Sequence, residues 1–121
     1  MEKEAEWINL KKLEEIDSEQ EQCRDLQKQL AQMEEEFRDQ NKCIKAVNDE
    51  LFERYPQDNK LQELLVQKEE DLRQKGILEE RMLEDCREEI NRRMQELERE
   101  KDDISEELRK GERRDENYDI D

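Results

Sequence analysis

Histidine is absent from this 121-residue sequence, proline occurs once, glycine twice, and aromatic residues make up only 4%. Without histidine, the commonest general base and a leading zinc ligand are missing. Two glycines leave no phosphate-cradling loop. Hydrophobic residues reach 31%, well short of the near half that fills a compact core. No apolar run approaches the ~20 residues of a membrane span. The acidic start MEKEAEWINL also lacks the basic and apolar regions of a secretory signal. The expectation is a protein kept in the cytoplasm, with no membrane insertion.

What is abundant is charge. Charged residues make up 51% of the chain and the formal net charge is −16. Such a surface repels nucleic acid and anionic lipid alike. Low hydropathy with high net charge is the signature of disorder, yet Glu, Lys, Arg, Gln and Leu dominate, and these are strong helix formers. An extended helix satisfies both observations. Cys23, Cys43 and Cys86 have neither CxxC spacing nor a histidine nearby, so they read as reduced thiols, Cys23 and Cys86 as small core residues and Cys43 as the accessible one. The runs Glu34-Glu35-Glu36 and Asp102-Asp103 match no calcium-loop spacing and read as solvated faces. No catalytic, cofactor-binding or metal-ligating residue is expected, because acid or base chemistry needs a desolvated cleft.

One break divides the chain, at Tyr55-Pro56-Gln57-Asp58-Asn59. Proline lacks a backbone donor and biases Tyr55 away from helical geometry. Asp58 or Asn59 is placed to cap a second helix, Asn59 with Gln62 at capping-box spacing. The predicted fold is all-α: a long, coiled-coil-like antiparallel helical hairpin over residues 1–111, with helices over roughly 3–54 and 59–110. Gly111 reads as a helix C-cap, and residues 112–121 as a flexible acidic tail.

The first arm carries Ile16, Cys23, Leu30, Phe37, Ile44 and Leu51 at every seventh residue, with Leu26, Met33 and Val47 at the alternate core position. Glu19 and Gln40 interrupt that second row. The second arm supplies Leu61, Leu65, Leu72, Leu83, Cys86, Ile90, Met94, Leu97, Ile104 and Leu108, with four-residue steps around Ile90 forming a stutter. Mirroring the chain about the Pro56/Gln57 bond places Ile16 opposite Leu97, Cys23 opposite Ile90, Leu30 opposite Leu83, Phe37 opposite Gly76, and Val47 opposite Val66. That arrangement gives Gly76 a packing reason to be glycine. The same pairs form equally well between two chains if the turn opens.

Trp7, Ile8, Phe52, Leu64, Ile77, Leu78 and Met82 do not fit the seam. Leu78 and Met82, four apart, share one helical face, and a partner helix would cover such residues. The stretches LFERYPQDNKLQELL and EERMLEDCREEINRRMQELEREKDDISEELRK resemble the small helical proteins encoded beside LXG-domain toxins of bacterial type VII secretion. The resemblance is one of length, layout and charged-helix texture over most of the chain. It implies an adaptor, targeting factor or chaperone-like partner for the helical N-terminal region of a toxin, often with a second small helical protein. Trp7 is followed by Ile8-Asn9 instead of completing a WxG turn, and neither Tyr55 nor Tyr118 has an acidic residue four positions later. By this resemblance the export signal would come from another protein. Two alternatives stay open: a self-assembling structural coiled coil, and a stalk or chaperone component of another secretion or motility apparatus.

Overall fold

A computed structural model describes the backbone of residues 2–119 and the side chains of residues 3–111. Two helices, α1 (Glu2–Arg54) and α2 (Asn59–Asp119), pack against each other as an antiparallel hairpin, with no strand among the described residues. The chain is rich in residues that lose little rotamer freedom in a helix, which lets each arm run without a break.

The turn is fastened from both sides. Tyr55 N–H donates to the Leu51 carbonyl at 3.1 Å and Asp58 N–H to the Tyr55 carbonyl at 3.3 Å. Asp58 is the N-cap of α2: its carboxylate accepts from Leu61 N–H at 3.1 Å, and its carbonyl from Gln62 N–H at 2.9 Å. An anionic cap also complements the positive end of the helix dipole. The capping box expected of Asn59 and Gln62 does not form. Gln62 reaches back instead, and its side-chain amide donates to the carbonyls of Phe52 and Tyr55 at 3.1 and 2.8 Å, which α1 leaves without intrahelical partners.

Packing separates the hairpin into two units. One combines the residues up to Gln27 with those from Glu89 onward, and the other spans Lys28–Glu88. In the first, Ile16, Cys23 and Leu97 form the buried core, with Ile90, Met94 and Ile104 packed against it. Leu97 is only 1% exposed. In the second, Leu30, Leu65 and Leu83 are buried, while Met33, Phe37, Leu51, Leu72 and Gly76 are half-buried.

The seam differs from the expected one in both rows: Leu26 and Val47 of the second row are exposed, as are Ile44 of the first row and Val66 and Cys86 of α2. On α1 the row facing α2 beside Ile16, Cys23 and Leu30 is Gln20, Gln27, Glu34, Asn41 and Asn48, every one buried or half-buried. These follow the apolar row by four residues, whereas Leu26, Met33 and Val47 follow it by three and fall on its other flank. On α2 the position taken by Arg87, half-buried, displaces Cys86. The four-residue steps lie at Glu79, Leu83 and Arg87, and regular four-three spacing resumes through Ile90, Met94 and Leu97.

The pairing is also offset from the mirror about Pro56/Gln57. Gln20 would meet Arg93 and Asp17 would meet Glu96, but Gln20 bonds Glu98 and Asp17 bonds Lys101, each five positions further along α2. In the other unit Asn41 would meet Leu72 and instead contacts Lys75 and Glu79. Side chains lean toward the N-terminus of their own helix, so in an antiparallel pair the two leans add. Phe37 does not press on Gly76, since a Cβ built there meets nothing within 4 Å. At the far end, α2 continues through Gly111 to Asp119 with no glycine at positive φ. The expected C-cap is thus absent, because a helix that needs no left-handed residue has no reason to stop at a glycine. Residues 112–119, read from the sequence as part of a flexible acidic tail, have helical backbone; residues 120 and 121 lie outside the described residues.

Candidate helix-docking surface

Two kinds of row run along these helices, one polar and hydrogen-bonded from Gln20 to Asn41, the other apolar and uncovered. The polar row of α1 faces hydrogen-bonding groups on α2. In the unit up to Gln27 and from Glu89, Gln20, 4% exposed, donates to Glu98 at 2.9 Å, and Gln27 donates to Asn91 at 3.2 Å. Asp17 pairs with Lys101 at 2.9 Å, and that hydrogen bond raises the lysine pKa. On the other flank Glu19 pairs with Arg93 at 2.7 Å and raises the arginine pKa. In the Lys28–Glu88 unit, Glu34 is bound by Arg87 and, at 2.7 Å, by Arg38. Asn41 accepts from Lys75 at 3.1 Å and donates to Glu79 at 3.1 Å. Asn48 continues the row, but its amide nitrogen is buried with no partner.

The Lys28–Glu88 unit holds most of the exposed large apolar side chains: Ile44, Val47, Phe52, Tyr55, Leu64, Val66, Leu78 and Met82. Two of its edges can be told apart. Glu34 with Arg87 marks one. Met33 and Cys86 each precede that pair by one residue, about 100° round their helices, so they mark the opposite edge. Val47 is two heptads beyond Met33, and Met82 is one turn before Cys86, which puts all four on that edge. On the Glu34 side a shallow open groove runs between Lys45 of α1 and Val66, Leu72 and Arg73 of α2.

Of the residues expected to meet a partner, Trp7, Ile8, Phe52, Leu64, Leu78 and Met82 are exposed, Leu78 at 62% and Met82 at 42%. Ile77 is half-buried. Trp7 and Ile8 belong to the other unit, where Lys11 sits 5.0 Å over the Trp7 ring. Sequence reasoning missed the polar row. Its signal was there, an amide or carboxylate at every seventh residue from Gln20 to Asn48. Among the described residues no group of three or more Cys, Asp or Glu is placed to hold a metal ion, and no helix is long and apolar enough to cross a membrane. The fold and its surface define an all-α helical hairpin with uncovered apolar rows. No protein-family model, curated protein or solved structure matches the chain.

Proposed function

We propose that this protein is a non-enzymatic helical adaptor that binds another helical protein, in the manner of a targeting factor or chaperone-like partner. The observation that carries the reading is the uncovered apolar surface of the Lys28–Glu88 unit, with Val47 exposed on the edge of α1 that also holds half-buried Met33, and Leu78 and Met82 exposed on α2. Its own core is three buried leucines, so a helix laid on these rows would bury more apolar surface than the hairpin does alone. Mass action then stabilises adaptor and partner together. A chain at −16 favours a partner with basic helical faces and speeds the encounter at low salt. The layout-level resemblance to proteins encoded beside LXG-domain toxins makes the helical N-terminal region of such a toxin the first partner to try, with a second small helical protein in the same complex.

The test is calorimetric titration of the purified chain with the helical proteins encoded beside it. Wild type should bind, and a variant carrying Asp at positions 33, 47, 78 and 82 should not, while keeping its helical circular dichroism. Equal binding by that variant would place the docking surface elsewhere.

A further inference from the structure

Leu61, Leu64, Lys68, Asp71, Lys75, Leu78 and Met82 form a second heptad row on α2, in steps of three and four, inside the Lys28–Glu88 unit. Leu64, Asp71 and Leu78 each precede Leu65, Leu72 and Glu79 by one residue, so the row lies about a quarter turn round the helix from the seam that faces α1. Leu64, Lys68, Asp71, Leu78 and Met82 are exposed, and Leu61 and Lys75 are half-buried. The row reads almost the same from either end: two apolar residues, Lys, Asp, Lys, two apolar residues. It also lies in a stretch far less acidic than the chain as a whole. Between residues 59 and 82 there are five Lys and Arg against six Asp and Glu, whereas the whole chain stands at −16.

We infer that this row is where a second copy of the chain docks, α2 against α2, antiparallel. The inference rests on the reading of the uncovered rows as helix-docking surfaces and assigns one of them, leaving the Met33 and Val47 edge to a different helix. Orientation follows from charge. In a parallel pair each core position meets its own equivalent, so Asp71 would face Asp71 and Lys68 would face Lys68. An antiparallel pair sets the row of Leu61, Lys68, Lys75 and Met82 against that of Leu64, Asp71 and Leu78. In the two registers that keep most of both rows in contact, Asp71 faces a lysine of the other copy, Lys68 or Lys75. Lys75 already donates to Asn41 and lies 3.8 Å from the Glu79 carboxylate, which leaves its ammonium group one further donor to offer. Lys68 makes no hydrogen bond or ion pair among the described residues, and its stem can cover the neighbouring leucines.

Sedimentation equilibrium of the full chain tests this. Wild type should give a dimer of twice the 15.0 kDa chain mass. Asp71→Lys alone, and Lys68→Glu with Lys75→Glu, should each weaken the dimer about tenfold or more. Mixing the two variants should restore a heterodimer near wild-type affinity, since the charges are then exchanged between copies. Circular dichroism checks that each variant stays helical. A wild-type chain that is monomeric up to millimolar concentration overturns the inference. So does a dimer indifferent to these charge reversals, which would point to exchange of arms between opened hairpins. If the chain alone is monomeric and Leu78→Asp with Met82→Asp abolishes binding of a foreign helix, the row belongs to that helix: the adaptor reading stands and the inference fails.

Discussion

The side-chain amide of Gln62 donates to the backbone carbonyl of Tyr55 at 2.8 Å, so the first turn of α2 ties down the last turn of α1. The same amide also reaches the carbonyl of Phe52. Gln62→Ala removes both bonds and should cost about 1 kcal/mol, read as a lower urea midpoint by circular dichroism. An unchanged midpoint would show that water replaces the amide without loss.

Gly76 makes the opposite case. It lies within α2, not at positive φ, and a Cβ added there meets nothing within 4 Å. Gly76→Ala should therefore stabilise the chain by up to about 1 kcal/mol through helix propensity and reduced freedom of the unfolded state. A loss of stability would mean that the glycine serves a contact made only with a partner.

The thiols report the seam directly. Cys23 is buried, while Cys43 and Cys86 are exposed. Maleimide labelling of the folded chain should modify Cys43 and Cys86 quickly and Cys23 only on unfolding. Protection of Cys86 in the chain alone would place it inside the seam or under a second copy.

Cys86 also shows what a sequence reveals of such a fold and what it hides. The break at Pro56, the two arms and the apolar row from Ile16 to Leu30 stand out because they need only local geometry and hydrophobic spacing. The second row was hidden because Leu26 and Val47 look like core residues and Gln20 and Asn41 do not. The polar row is admitted only because Glu98, Lys75 and Glu79 stand opposite it, and the identity of facing groups depends on an offset set by side-chain direction. Arg87 replaces Cys86 for the same reason: its inward position has Glu34 to meet.

Acid and base act on the surface pairs with opposite signs. Hydrogen bonds from Arg73 and Gln74 hold the Glu70 carboxyl at about 2, below its usual 4.5. A depressed pKa contributes stability at neutral pH that fades as pH falls from 4.5 toward about 2. For Lys101, raised above 10.5 by Asp17, the contribution is complete below 10.5 and fades as pH rises beyond it. Glu70→Gln should thus lower Tm slightly at neutral pH and have no effect once Glu70 itself is protonated. Added salt should shrink the neutral-pH difference, as both groups are exposed. A difference that persists in strong acid would assign Glu70 a role other than its ion pair.

Asn41 and Asn48 are the same residue one heptad apart on α1, and they should respond in opposite directions to replacement by leucine. Asn41 accepts from Lys75 and donates to Glu79, whose side chain is 14% exposed. Asn41→Leu strips that carboxylate of a donor and leaves it only the Lys75 ammonium at 3.8 Å, at a cost of about 1–3 kcal/mol. The buried amide nitrogen of Asn48 has no partner, so Asn48→Leu removes a desolvated donor and adds apolar contact beside Leu51. That change should stabilise the hairpin by about 1 kcal/mol or more. Urea unfolding of both variants decides the matter. If the two shift stability in the same direction, helix propensity or the denatured state governs the row. If Asn48→Leu alone is destabilising, its amide has a partner when the protein is in solution, and a second chain becomes the first place to look for the acceptor.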